Sequence, residues 1–162
     1  MIADAISIRP ATADDAAGMT DLALQSKAVW GYSKDFMARC REELIVRDDD
    51  IRSGPIDYFV AVAPAGDLAG FCGLDKTSPD VHELDALFID PRFMRRGIGE
   101  ALFHHAKAHA LKLGARRLIV ESDPHAAGFY IALGGSRTGE RSSGSIPGRS
   151  LPVLEFALCE PS

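Results

Sequence analysis

The chain has 162 residues, 46% of them hydrophobic and 25% charged, with a formal net charge of −5; this is the size and balance of one globular domain, spanning residues 1–162. No apolar run reaches the roughly 18 residues that a bilayer requires, and Met1 to Ile6 has no basic segment followed by an apolar stretch, so neither membrane association nor a secretory leader is expected. An acidic balance without a Lys/Arg-rich run argues against nucleic-acid binding; the local basic stretch is the loop Arg92 to Arg96.

Ile6 to Arg9 alternates and predicts a first strand. Pro10 to Asp14 is a turn with Thr12 or Asp14 available as a cap, and Asp15 to Val29 follows as a helix with Met19, Leu22 and Ala23 on one face. Trp30-Gly31-Tyr32 breaks it. Ser33 caps a second helix to about Val46, with Phe36, Met37, Cys40 and Leu44 at helical spacing. Asp48-Asp49-Asp50 predicts a polar stop that caps a short turn, and a solvated surface. Tyr58 to Ala63 and Leu68 to Asp75, joined by Pro64-Ala65-Gly66-Asp67, predict a hairpin. Val81 to Ile89 is the next strand, closed by Asp90-Pro91. Gly97 to Leu113 predicts a helix with Ile98, Leu102, Ala106 and Leu113 inward and Gly114 as its C-cap. Leu118 to Glu121 is a strand, Pro124 to Leu133 a short helix ended by Gly134-Gly135, and Ser136 to Leu158 two final strands around the loop Ser142 to Arg149. The order β-α-α-β-β-β-α-β-α-β-β has a hairpin-rich first half followed by crossover units. It predicts a mixed α/β domain: about seven mostly antiparallel strands in one sheet, flanked by about four helices.

Cys40, Cys72 and Cys159 are widely spaced, odd in number and without a C-x-x-C pair. No zinc site or disulfide framework is expected, and the pattern points to a reducing, cytoplasmic setting. Cys72, in the apolar run Leu68 to Leu74, reads as a buried structural thiol. His104, His105 and His109 read as the solvated face of a helix, since no Glu follows the first of the spaced pair as in H-E-x-x-H; no metal is expected.

The segment Arg95-Arg96-Gly97-Ile98-Gly99-Glu100-Ala101-Leu102 carries the strongest chemical signal. Glycines spaced by one residue at a strand-to-helix junction let backbone N–H groups approach a ligand closely. The helix start adds unpaired N–H groups and the positive end of a dipole, a construction suited to phosphate or pyrophosphate. A P-loop needs Lys and Ser/Thr after its last glycine, and Glu100-Ala101 stands there instead. A dinucleotide fingerprint needs Gly or Ala where Leu102 stands, although Glu121 lies at a suitable distance to read a ribose, so a nicotinamide-dependent oxidoreductase stays open as an alternative.

The stretch Asp85-Ala86-Leu87-Phe88-Ile89-Asp90-Pro91, the glycine loop, and Glu121 to Gly134 with its F-Y-x-x-x-G motif at Phe129-Tyr130 together resemble the acyl-CoA-binding core of the GNAT superfamily of N-acetyltransferases. The resemblance is strongest from about Glu83 to Gly135; the element order elsewhere is similar, and Trp30-Gly31-Tyr32-Ser33 and Ser145-Ile146-Pro147-Gly148-Arg149 resemble one bacterial branch. It implies a three-layer GNAT-like fold and acetyl-CoA as cofactor. The pyrophosphate would rest on the backbone of Arg95, Arg96, Gly97, Ile98, Gly99, Glu100 and Ala101, with charge-assisted help from the two arginines. Met94 departs from the family's usual Arg or Gln; backbone contacts should keep binding intact. The pantetheine arm would pair like an added strand with Leu87, Phe88 and Ile89. Phe129 belongs to the same cofactor-binding set, and His125 stands where the family often has an Asn that bonds the CoA arm.

Acyl transfer to an amine needs a neutral nucleophile, a donor for the oxyanion and a proton for the leaving thiolate. The resemblance implies Tyr130 as the acid near the CoA sulfur, and Glu83, counted back from Gly97 without a gap, as the base. Burial in an otherwise apolar strand would raise the pKa of Glu83. His82 or a water relay is the other choice of base, and the oxyanion donor would be a backbone N–H near Leu87 to Ile89. Trp30 and Tyr32 resemble the acceptor-side wall, and Arg149 is a candidate for a substrate carboxylate. No Cys is placed for an acyl-enzyme, so direct attack in a ternary complex is expected. The acceptor is a primary amine, either on a small molecule or as a protein lysine or N-terminal amine. Family analogy implies a homodimer through the C-terminal strands; an inactive acyl-CoA sensor on the same fold is the non-enzyme alternative.

Overall fold

A computed structural model describes residues 5–76 and 78–158; Cys159 lies outside them. The elements in order are β1 (Ser7–Pro10), α1 (Ala16–Ala28), α2 (Lys34–Leu44), α3 (Asp48–Ser53), β2 (Ile56–Val62), β3 (Leu68–Asp75), β4 (Val81–Ile89), α4 (Ile98–Lys112), β5 (Arg117–Glu121), α5 (Ala127–Ala132), β6 (Ser136–Ser142) and β7 (Ser150–Ala157). The strands form one seven-stranded sheet in the order β1-β2-β3-β4-β5-β7-β6. Every neighbouring pair is antiparallel except β4 and β5. A doubly wound parallel sheet, which the dinucleotide reading requires, is therefore not what this chain builds.

Each face of the sheet buries its own apolar cluster. Leu74, Leu84, Leu118, Leu154 and Phe156 pack against Leu102, Phe103 and Ala106 of α4. Val60 and Phe71 pack on the other face against Met19, Leu22 and Ala23 of α1 and Cys40 of α2. Ser33 caps α2 by accepting from the N–H of Phe36 at 3.1 Å. The helix ends at Leu44, two residues before the expected Val46, because the chain there is extended. The Val46 N–H donates to Oγ1 of Thr20 at 2.8 Å, which ties the segment to α1.

Three expectations are corrected. Asp48-Asp49-Asp50 does not cap a turn but forms the first turn of the short helix α3: the helix dipole favours carboxylates there, and Asp50 accepts from the Arg47 N–H at 3.0 Å. Leu113 is 49% exposed rather than inward, because α4 has already ended and Gly114 turns the chain with φ +93°. Of the three α4 histidines, His104, His105 and His109, only His104 is exposed. His105 and His109 pack edge-on against Phe59 at 4.5 and 5.0 Å, and His109 meets Asp57 at 2.8 Å.

Two irregularities position the site. β4 pairs with β5 only through Val81, His82 and Glu83, opposite Arg117, Leu118 and Ile119. Beyond that the strands part, and β4 runs on to Ile89 with its β5-facing side open. On its other side the ladder slips: Gly73 lies opposite Ala86 but Leu74 lies opposite Leu84, so Asp85 is an extra residue in a β-bulge.

Candidate functional site

The wedge between β4 and β5 opens a cleft of about 910 Å³. The glycine loop closes one end. Asp90 anchors it: its side chain accepts from the Arg92 backbone N–H at 2.9 Å and from the Arg92 guanidinium at 3.0 and 3.2 Å. Burial opposes ionisation of Asp90, but these donors outweigh it and hold the carboxyl below its ordinary range. Arg92 is thereby taken out of the basic loop. Arg95 and Gly97 both adopt left-handed backbone, φ +63° and +81°, which turns successive N–H groups toward one side. No described side chain caps α4, and its first backbone bond runs from the Ala101 N–H to the Gly97 carbonyl at 3.1 Å. The N–H groups of Ile98, Gly99 and Glu100 therefore face the cleft without an intrahelical acceptor. The Phe129 ring sits beside Gly99, 3.5 Å from where a Cβ would stand.

One wall is the free side of β4. Leu87, Phe88 and Ile89 spend their other side on Cys72, Phe71 and Gly70 of β3, so the cleft side offers an extended ligand a strand to pair with. Tyr130, 6% exposed, packs on Phe129 and Phe103 at 5.0 and 6.1 Å and lines the cleft. Burial pushes its phenol well above the usual range, so it is a protonated donor near neutral pH.

The β4 carboxylates face the same space. Glu83 lies 3.0 Å from the Arg141 guanidinium, which also reaches Glu121 at 3.4 Å. Burial raises Glu83, with Glu121 and Asp75 adding to the effect and Arg141 opposing it. Glu121 is thus part of an ion triad rather than a ribose reader. Asp85 is an exposed residue at the cleft, yet the protein around its carboxyl partly desolvates it, and this, followed by Glu83, Asp75, Glu121 and Asp50, pushes it up to about 6. Sequence reasoning assigned no role to Asp85 or Arg141. His82 does not line the cleft: it is 3% exposed, its Nδ1 has no partner among the described residues, and burial lowers its pKa.

Asp123 organises the opposite wall, and sequence reasoning missed it too. Its carboxylate accepts from Tyr32 Oη at 2.9 and 3.0 Å, Lys27 at 3.3 Å, Arg149 at 3.3 Å and the His125 N–H at 2.9 Å. Burial pushes Asp123 up, but the His125 N–H, Lys27 and Tyr32 together hold it below the ordinary value. Tyr32 is raised to about 12 by burial and by Asp123. Arg149 donates to Tyr32 Oη at 2.8 Å and stacks over Phe36 at 4.8 Å, so its charge is turned onto Asp123. Trp30, 43% exposed, lies flat on His125 at 5.0 Å. The structure thus gathers Trp30, Tyr32, His125 and Arg149 into one wall. Only the aspartate's position just before Pro124, with its capping propensity, hinted at that hub in the sequence.

Comparison with known proteins agrees with this geometry. Residues 23–134 match the Acetyltransferase (GNAT) family. The chain is 38% identical over 137 residues to the peptidyl-lysine N-acetyltransferase YjaB of Escherichia coli, covering 80% of this chain and 86% of that protein. It is 34% identical, with the same coverage, to YjaB of Salmonella typhimurium. The fold superposes with TM-score 0.74 on the PaiA N-acetyltransferase of Thermoplasma acidophilum in complex with coenzyme A, at 19% identity, covering 94% of this chain and 98% of that one. With the family match over most of its length and these relatives, the chain belongs to the GNAT family of acetyltransferases.

Proposed function

We propose that this N-acetyltransferase carries the acetyl group of acetyl-CoA to a lysine ε-amine, by direct attack in a ternary complex. The observation that carries the reading is the splayed β4–β5 cleft, with unpaired helix N–H groups at one end and carboxylates at the other. The residues present fit acetyl-CoA. The N–H groups of Ile98, Gly99 and Glu100 suit its phosphates, with Arg95, Arg96 and the loop backbone through Ala101 beside them; the free side of Leu87 to Ile89 suits the extended arm, and Phe129 covers Gly99. Acetyl-CoA supplies a thioester carbonyl carbon that an amine attacks.

Tyr130 Oη holds a proton at neutral pH and delivers it to the departing sulfur. A backbone N–H between Leu87 and Ile89 serves the oxyanion. The proton of the amine leaves toward the β4 carboxylates, of which Glu83 is the one the family resemblance indicates. Trp30, Tyr32, His125 and Arg149 form the wall against which the acceptor lies. Cys72 is fully buried with its thiol pushed up to about 12, and neither it nor Cys40 lines the cleft, which favours direct attack over an acyl-enzyme. The lysine acceptor is supported by the relatives' activity and by the acidic mouth, which suits an ammonium group. Widely spaced cysteines support a reducing, cytoplasmic setting, and the acidic balance argues against nucleic acid as a partner. Among the described residues no helix is long and apolar enough to cross a membrane. A homodimer belongs to this reading: β6 is an edge strand exposed along its whole length.

The test is initial-rate kinetics with lysine peptides and acetyl-CoA, following CoA release. Intersecting double-reciprocal lines are expected. Parallel lines would replace the ternary complex with an acyl-enzyme, and transfer to small polyamines but never to peptides would move the acceptor class.

A further inference from the structure

We propose that Asp85, carried on the β4 bulge, accepts the proton of the attacking amine, while Arg141 holds Glu83 and Glu121 as a fixed pair that draws the ammonium in. This rests on the acetyltransferase reading above and names which carboxylate does the work.

The bulge is the first ground. Glu83 lies in regular register opposite Asp75, but Asp85 has no residue opposite it, because the ladder steps from Leu74–Leu84 to Gly73–Ala86. A bulge re-aims the side chain of its extra residue, and here Asp85 lines the cleft. The second ground is pairing. Glu83 and Glu121 share the single Arg141 guanidinium at 3.0 and 3.4 Å, so each has a cation as a hydrogen-bond donor and part of their joint charge is offset. Among the described residues, no Lys, Arg or His forms an ion pair with Asp85. The groups that face it are Glu83 on its own strand, Asp75 on β3, Glu121 on β5 and Asp50 on α3, all acidic, with the Tyr58 phenol on β2. Arg141 of β6 is committed to Glu83 and Glu121. Asp85 is therefore the carboxylate of this set left free to take a proton, and its titration near 6 places it close to working pH, where a general base is most effective.

The protons balance as follows. The ammonium nitrogen arrives with three hydrogens and leaves as an amide with one. One proton goes to Asp85 Oδ and then to solvent. The other offsets the proton that Tyr130 gives to the sulfur, so one proton is released per acetyl group transferred.

The experiment compares Asp85→Asn, Asp85→Glu, Glu83→Gln and Arg141→Gln for turnover against pH, with acetyl-CoA affinity measured by calorimetry. Asp85→Asn is expected to lower kcat by about 100-fold or more and to abolish the acid limb of kcat/KM, with acetyl-CoA affinity unchanged. Asp85→Glu restores part of the rate. Glu83→Gln keeps the limb and loses less than about tenfold. Arg141→Gln moves the limb to higher pH, because two uncompensated carboxylates then face Asp85. A readout independent of turnover is the carbon NMR titration of the Asp85 carboxyl in the ligand-free protein, expected with its midpoint near 6. Asp85→Asn with wild-type kcat and an intact limb, alongside a Glu83→Gln variant that has lost both, would overturn the assignment in favour of Glu83. A wild-type protein that binds acetyl-CoA but acetylates no amine would overturn the acetyltransferase reading, and this proposal with it.

Discussion

Gly99→Ala separates a phosphate-binding loop from a mere turn. A Cβ at Gly99 would stand 3.5 Å from Phe129 and 3.7 Å from Ile89, ordinary van der Waals distances, and Gly99 is not among the glycines with positive φ. The protein itself therefore has room for the methyl. Alanine in the first turn of α4 gains helix propensity and reduces unfolded-state entropy, together worth about 0.5–1 kcal/mol. For a domain of this size that raises the unfolding midpoint by roughly 1–4 °C. The methyl also occupies the approach to the N–H groups of Ile98, Gly99 and Glu100, so acetyl-CoA affinity should fall at least tenfold, about 1.4 kcal/mol. The assay is thermal unfolding with and without acetyl-CoA, with NADH as control, and calorimetry for Kd. Gly97→Ala is the contrast: at φ +81° a side chain costs about 1–2 kcal/mol, so this variant loses stability as well as affinity. A Gly99→Ala protein that is more stable and binds acetyl-CoA as tightly as wild type would refute the reasoning, leaving the glycine as a structural turn.

Tyr130→Phe keeps the ring contacts with Phe103 and Phe129 and should leave acetyl-CoA binding and the unfolding midpoint near wild type while kcat falls about 100-fold or more, read by CoA release. Asp123→Ala strands Lys27, Arg149 and Tyr32, each part-buried, and should cost about 2–3 kcal/mol in urea unfolding and raise the acceptor KM more than the acetyl-CoA KM. The same carboxylate sets an acid limit. Its folded pKa lies below the unfolded value, so its contribution is present above about pH 4 and lost as pH falls through the folded value; acid unfolding should lose one protective group in Asp123→Asn. Asp85 has the opposite sign. Its folded pKa is raised, so ionisation costs stability as pH climbs from about 4 to about 6, and Asp85→Asn should raise the unfolding midpoint at pH 7.5 but not at pH 4.

Local chemistry was legible along the chain. Ser33 caps α2, the glycines start and stop α4, and the apolar run Leu68 to Leu74 marks β3, because each depends on neighbours within a turn or two. The turn of the glycine loop was legible for the same reason, as its left-handed backbone and helix start are built from consecutive residues. Long-range pairing was not. The slip that frees Asp85 depends on β3, ten or so positions away. The Arg141–Glu83 contact joins residues 58 positions apart, and Asp123 gathers Lys27 and Tyr32 from more than 90 positions upstream. His105 and His109 were misread because the Phe59 ring that receives them lies on a strand far back in the sequence.

Where periodicity fails, the chain has departed from regular pairing, and both departures of β4 face the same cleft. Past Glu83 the strand loses its β5 partner and so keeps backbone groups free, which a regular sheet would have satisfied internally. At Asp85 it takes an extra residue, which places an unpaired carboxylate among four others that folding alone would have kept apart. Each feature costs stability: open strand edges invite unwanted pairing, and like charges repel. A chain selected only to fold would close the wedge and replace Asp85 with a neutral residue. Stability and activity should therefore move in opposite directions in Asp85→Asn at neutral pH, a signature that a purely structural aspartate would not produce.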